Sequence, residues 1–160
     1  MKRFVYNTLV DAPIKQVADF YRRPDAFLHL NPPGMMLQMH RNAGVGEGSA
    51  VEFTMWLGPI PVHWTAVHSD VDWRTGFTDT QTRGPFAYWV HRHIFMSIGE
   101  GATQIVDEVT AEFGPGIYSG IASRLMWLGL PALFAYRKWA TRRQVKRMAG
   151  VSGRPRGVNG

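Results

Sequence analysis

The sequence predicts an α+β fold: one antiparallel sheet of seven strands, a long C-terminal helix, and two short helices between the first and second strands. Three observations carry this. Between Met35 and Phe113 the helical signal disappears, and strand-sized apolar runs follow one another, separated by Gly, Pro or Asp. The connections between those runs are only a few residues long, and short connections join antiparallel neighbours. From Gly116 to Gly150 the pattern turns helical over a stretch too long for any strand.

The elements follow in order. RFVYNTLVD alternates as a strand, with Phe4, Tyr6 and Thr8 on one side and Val5, Asn7 and Leu9 on the other. Pro13 suits a first helical turn, and Ile14, Val17, Ala18 and Tyr21 return at helical spacing until Pro24 stops them. DAFLHL is a second short helix, ended by Asn31-Pro32-Pro33-Gly34. Six strands are then expected as MMLQMHR, SAVEFTMWL, PVHWTAVHSDV, GFTDTQTR, AYWVHRHIFMS and TQIVDEVTAEF. The last helix contains Gly129 and Pro131, so a kink or two helices end to end is expected there, because an interior proline removes a hydrogen bond.

A chain of 160 residues suits a single domain, expected over 1–149, with 150–160 as a disordered basic tail. Without cysteine there are no disulfides, no thiolate nucleophile and no Cys-type zinc site. The N-terminus lacks a signal-peptide pattern, and a cytoplasmic location is expected. Residues 1–112 carry nine basic and all twelve acidic side chains, net −3, whereas 113–160 carry nine basic and none acidic, net +9. Arg137, Lys138, Arg142, Arg143, Lys146 and Arg147 read as a solvated face, with an anionic-surface adaptor as a rival reading. No aromatics alternate with them on a strand, so no nucleic-acid partner is expected. Ile117 to Tyr136 is long enough to span a membrane, but Arg124, Pro131 and the glycines argue for a helix buried on the sheet, and no transmembrane segment is expected.

The stretch GPFAYWVHRHIFMSIGEGATQIVDEVTAE holds the chemistry. Residues two apart on a strand face the same way, so Trp89, His91, His93 and Phe95 form one row and Tyr88, Val90, Arg92, Ile94 and Met96 the other. A hairpin that sets Phe95 opposite Ile105 sets His93 opposite Asp107, and a tight turn at Arg83 to Phe86 sets Asp79 by His91 and Gln81 by Trp89. Trp56, Trp64, Phe77 and Met126 are the expected apolar lining beside them. The second, apolar row hints at a homodimer through the sheet face. His63 and His68, five apart, fall on opposite faces, and His29 and His40 read as surface or edge residues. Buried imidazoles and carboxylates persist only when paired, hydrated or bound. Three readings stay open: a polar handle in an apolar pocket, a general acid–base pair, or a metal site at His91 and His93. No cofactor is expected.

The element order is that of the helix-grip fold, and the chain resembles the SRPBCC superfamily over about residues 2–148. That superfamily includes START lipid-transfer domains, polyketide cyclase-like proteins and plant pathogenesis-related allergens. Asp79, Gln81, Gly84, Pro85, Phe86, Trp89, His91, His93, Phe95, Asp107 and Val109 are similar to the motif of its bacterial ligand-binding subgroup. Ala111 and FGPG depart from that motif. The resemblance implies a curved sheet wrapped around the C-terminal helix and a small hydrophobic or amphipathic molecule, such as a lipid, carried or sensed between them. The alternative it implies is a cyclase- or dehydratase-like enzyme on a carbonyl or polyketide-type substrate, using His91, His93, Asp107 and Asp79.

Overall fold

A computed structural model of the chain describes residues 1–152. The elements run β1 (Lys2–Val10), α1 (Ile14–Tyr21), α2 (Ala26–His29), β2 (Leu37–Asn42), β3 (Ala50–Leu57), β4 (Ile60–Asp72), β5 (Gly76–Arg83), β6 (Phe86–Ile98), β7 (Ala102–Phe113) and α3 (Ile117–Ser152). All seven strands join one antiparallel sheet in the order β1-β7-β6-β5-β4-β3-β2. Helix α3 lies across one face of it, and α1 and α2 fill the space beside α3. This is the helix-grip fold.

On β4 and β7 burial follows the period of two. On β7 Thr103, Ile105, Asp107, Val109 and Ala111 are buried and their neighbours are not; on β4 the buried set is Val62, Trp64, Ala66 and His68. Backbone irregularities bend the strands where their register shifts, at Thr65/Ala66, Ser69/Asp72 and Phe86/Tyr88. Gly76 opens β5 at φ +127°, and a Cβ there would come within 1.7 Å of the His93 carbonyl oxygen, so only glycine lets β5 lie this close to β6.

The last helix resolves one alternative and departs from expectation at its end. α3 is one continuous helix of 36 residues with Pro131 inside it, not two end to end. Pro131 stands on the exposed side, where a carbonyl deprived of its helical partner can be hydrated. The helix also continues through Gly150 to Ser152, into the stretch expected as tail; residues 153–160 lie outside the described ones.

One side of α3 is buried through Ala122, Leu130, Phe134, Ala140, Thr141 and Val145, while Ile117, Ile121, Leu125, Leu128 and Trp139 are exposed on the other. Among the described residues α3 is the one helix long and apolar enough to cross a membrane, and 28 % of its most apolar window is buried. On the far face of the sheet Tyr88 and Met96 are exposed, and Val90 and Ile94 half-buried.

Candidate functional site

A cavity of about 250 Å³ lies between the sheet and α3. Its apolar wall comes from inward rows of neighbouring strands, with Phe53 and Met55 from β3, Trp64 and Ala66 from β4 and Trp89 from β6, closed above by Leu130 and Phe134 of α3. Trp64 and Trp89 meet edge to face at 5.4 Å, a favoured aromatic geometry that fixes both rings. Phe27, Leu30 and Asn31 of α2 and the turn after it complete the wall.

One part of the wall is polar. Asp79 stands opposite His91 in the β5–β6 register, and His93 opposite Asp107 in the β6–β7 register, so two hairpins deliver four ionisable groups to one spot. His91 Nε2 is 3.1 Å from Asp107 Oδ1, and His93 Nε2 is 3.2 Å from Asp79 Oδ2. His93 Nδ1 lies 2.8 Å from Asp107 Oδ1, an ion contact out of line for a hydrogen bond. A fifth member, His68 of β4, brings Nε2 to 3.0 Å from Asp79 Oδ1, again without hydrogen-bond alignment, while Ser49 holds its Nδ1 at 2.9 Å. The rings of His91 and His93 are 3.9 Å apart.

Burial opposes charge on every member, and the pairing decides which charges survive. Burial raises Asp79, but His68 and His93 outweigh it and hold the carboxyl far below its ordinary range; His91 and then His93 do the same for Asp107. Burial lowers His93, yet the carboxylates of Asp107 and Asp79 together bring it up to about 9. His91 goes the other way, down to about 4, because burial and the charge of His93 exceed the pull of Asp107. The two rings are thus pushed apart, His93 towards its charged form and His91 towards its neutral one. Burial, with the Asp107 charge, also pushes the Tyr21 hydroxyl well above its usual range, so Tyr21 is a neutral donor beside them.

The structure separates the expected site residues into two groups. Trp64, Phe77, Asp79, Trp89, His91, His93 and Met126 are on the cavity wall. Asp107 is behind the histidines, buried and off the wall. Phe95 is buried too, but in the adjoining core against Tyr21, because the row it shares with His93 continues past the end of the cavity. Trp56 is a correction: Val51, Phe53 and Met55 set the inward phase of β3, which turns Trp56 to the other face. Gln81 is another. Its pairing with Trp89 does not form, and its side chain instead spans the β5–β6 turn, donating from Nε2 to the Phe86 carbonyl at 2.8 Å.

Arg137 and His68 are wall residues outside the expected set. Arg137 is not part of a surface cluster: it lines the cavity, donates to the Leu30 carbonyl at 3.3 Å and lies 5.1 Å over the Phe134 ring. Its phase gives it away, since Leu130, Phe134, Thr141 and Val145 continue the same helical stripe. His68 shares the inward phase of Trp64 four residues earlier. His63, on the opposite face, bonds Thr54 instead.

Fold and site together define a helix-grip protein with an internal, partly polar cavity. No protein-family model matches the sequence, and no curated protein sequence matches it. Solved structures are similar to it in fold. The Zhui aromatase/cyclase from Streptomyces sp. R1128 superposes with a TM-score of 0.71 at 14 % identity, over 95 % of this chain and 98 % of that one. A norcoclaurine synthase point mutant from Thalictrum flavum, in complex with a transition-state analogue, gives 0.68 at 19 % identity, over 92 % and 96 %. Ara h 8.0201 gives 0.61 at 12 % identity, over 88 % and 97 %. At these identities the likeness shows the shared helix-grip fold and leaves function to the site.

Proposed function

We propose that this protein binds a small hydrophobic or amphipathic molecule in the cavity, as a carrier or sensor. One observation carries the reading: an apolar hollow of about 250 Å³ with the ionisable side chains of Asp79, His91 and His93 gathered on one part of its wall. Small-molecule sites have this make-up, apolar surface for affinity and a few fixed polar groups for orientation. The half-buried guanidinium of Arg137 is a further anchor for an anionic or carbonyl end. Native mass spectrometry of the purified protein, before and after denaturation, tests this directly. A bound small molecule released unchanged on unfolding is the expected result. An empty protein whose Trp64 and Trp89 fluorescence ignores hydrophobic probes would sink the reading.

A second reading has its own observation. His91 uses Nε2 on Asp107, which leaves Nδ1 on the cavity side, 3.9 Å from Asp79 Oδ2, and an imidazole oriented by a carboxylate is placed to accept a proton. A cyclase- or dehydratase-like reaction on a carbonyl substrate would use it so. Turnover that collapses in His91→Gln while ligand affinity stays within a few-fold would favour this reading over a carrier.

A further inference from the structure

We infer that Asp79, His91 and His93 form a site for one divalent transition-metal ion, open towards the cavity. The donors come from regular strands whose register fixes them. His91 and His93 are two apart on β6, and Asp79 stands directly opposite His91 on β5. All three line the cavity, and one donor atom from each lies within 4.8 Å of the other two.

The two acids divide their work by side. Asp107 lies behind both rings, 3.1 Å from His91 Nε2 and 2.8 Å from His93 Nδ1. That leaves His91 Nδ1 and His93 Nε2 in front, and these are the two nitrogens nearest Asp79 Oδ2, at 3.9 and 3.2 Å. A carboxylate behind an imidazole fixes the tautomer and raises the basicity of the nitrogen that ligates. Here one carboxylate serves two rings, and His68 holds the other oxygen of Asp79 from β4.

Donors roughly 2.0–2.2 Å from a shared ion are about 3–3.5 Å from one another. The 3.2 Å pair meets this as it stands, and the 3.9 Å pair needs a few tenths of an ångström of side-chain rotation. His91 Nδ1, on the front side of a ring that is 4 % exposed, stands 3.9 Å from Asp79 Oδ2, beyond hydrogen-bond reach, so a buried nitrogen aimed at the shared point is not satisfied by that carboxylate.

Two nitrogens and one carboxylate, with no sulfur, suit zinc, iron(II), cobalt(II) or nickel(II) better than copper(I). Three protein donors leave coordination positions for water or for an oxygen atom of a ligand in the cavity. The other charged or titratable groups facing the donors are Tyr21 from α1, His68 from β4, Asp107 from β7 and Arg137 from α3. The metal site and the carrier reading stand separately, because hydrophobic-probe binding and metal binding are read independently on the same protein.

The test uses the full chain, stripped with a chelator and titrated with Zn²⁺ by calorimetry, and with Co²⁺ followed by its visible absorption. One ion per chain is expected. Asp79→Asn and His91→Gln should each weaken it at least 100-fold, and Asp107→Asn, a positioning residue, about 10–100-fold. Binding should weaken as pH falls, since the ligands must be deprotonated. His29→Ala, which removes the surface His29–Asp25 pair, should change nothing. If the site variants fail to fold, imidazole ¹⁵N spectra of the unaltered protein decide, with Zn²⁺ expected to shift His91 and His93. No stoichiometric binding at pH 8, spectra in which neither histidine responds, or binding that survives both Asp79→Asn and His91→Gln would each overturn the site.

Discussion

The two ends of the sheet face under α3 are built from the same kinds of residue, yet one is solid and the other hollow. At the solid end Val17 and Phe20 of α1 are fully buried, and Val10, Phe95, Ile105, Ala140 and Val145 close around them. Thr103 ties the start of α1 to β7 through the Ala12 carbonyl at 2.8 Å. At the hollow end no α1 is interposed, and Phe53, Met55, Trp64 and Leu130 face one another across the cavity. The histidines mark the border. His93 stacks on Phe77 at 4.2 Å, on the solid side, whereas His91 meets the edge of Phe134 at 5.4 Å, over the hollow. The difference teaches that a helix eight residues long decides where this fold keeps a core and where it keeps a site.

The largest expected effect tests that division. Phe20→Ala should cost about 3–5 kcal/mol, because a closed core cannot collapse onto the missing ring. Phe27→Ala, at the half-buried cavity wall, should cost about 1–2 kcal/mol and act mainly on ligand affinity, since its ring already has open space on one side. Urea unfolding measures both, and equal losses would dissolve the distinction between the ends. Next is Gly76→Ala, expected to cost about 3 kcal/mol or more, because its backbone is left-handed and its Cβ would strike β6 at His93. A variant as stable as the parent would show that β5 and β6 do not need this approach to place the histidines.

The border itself is tested by pH, in metal-free protein. His93 has a raised folded pKa, about 9, so its contribution is complete below the unfolded value of about 6.5 and is lost as pH rises towards 9. His91 is depressed to about 4, so the folded state resists its protonation and loses stability as pH falls from 6.5 to 4. The depressed carboxyls of Asp79 and Asp107 add to the acid-side loss, below their unfolded values. Thermal unfolding should therefore be highest near pH 6.5 and lower by something on the order of 5 °C at pH 9. A midpoint still rising from pH 6.5 to 9 would mean that His93 is not the charged ring.

Much of this was legible in the sequence. Element order, strand turns and the two critical registers followed from period and turn length, because a hairpin of known length leaves little freedom in what faces what. Facing was harder where both phases of a strand are apolar. On β3 Met55 and Trp56 are adjacent and equally plausible inside, and only the partner strand settles it. Gln81 shares a row with Asp79, but the turn beside it offered backbone groups that a long amide satisfies at less cost than a pocket. Arg137 was hidden by its company: five basic neighbours suggested a surface, although its own phase put it inside.

The smallest expected effect asks whether α1 closes the solid end by its inner face alone. On its outer side Lys15 Nζ meets Asp19 Oδ2 at 2.8 Å, one turn apart, with the lysine 83 % exposed. Solvent and salt weaken such a pair, and Lys15→Ala should cost only about 0.3–0.5 kcal/mol, shrinking in high salt. Set against Phe20→Ala on the same helix, that is nearly a tenfold difference between two side chains five residues apart. Burial explains it: the ring loses contacts on every side, while the ammonium exchanges one partner for water. Comparable losses from the two variants, in the same unfolding experiment, would mean that α1 is held in place by its charges, and the hollow end would then need another explanation.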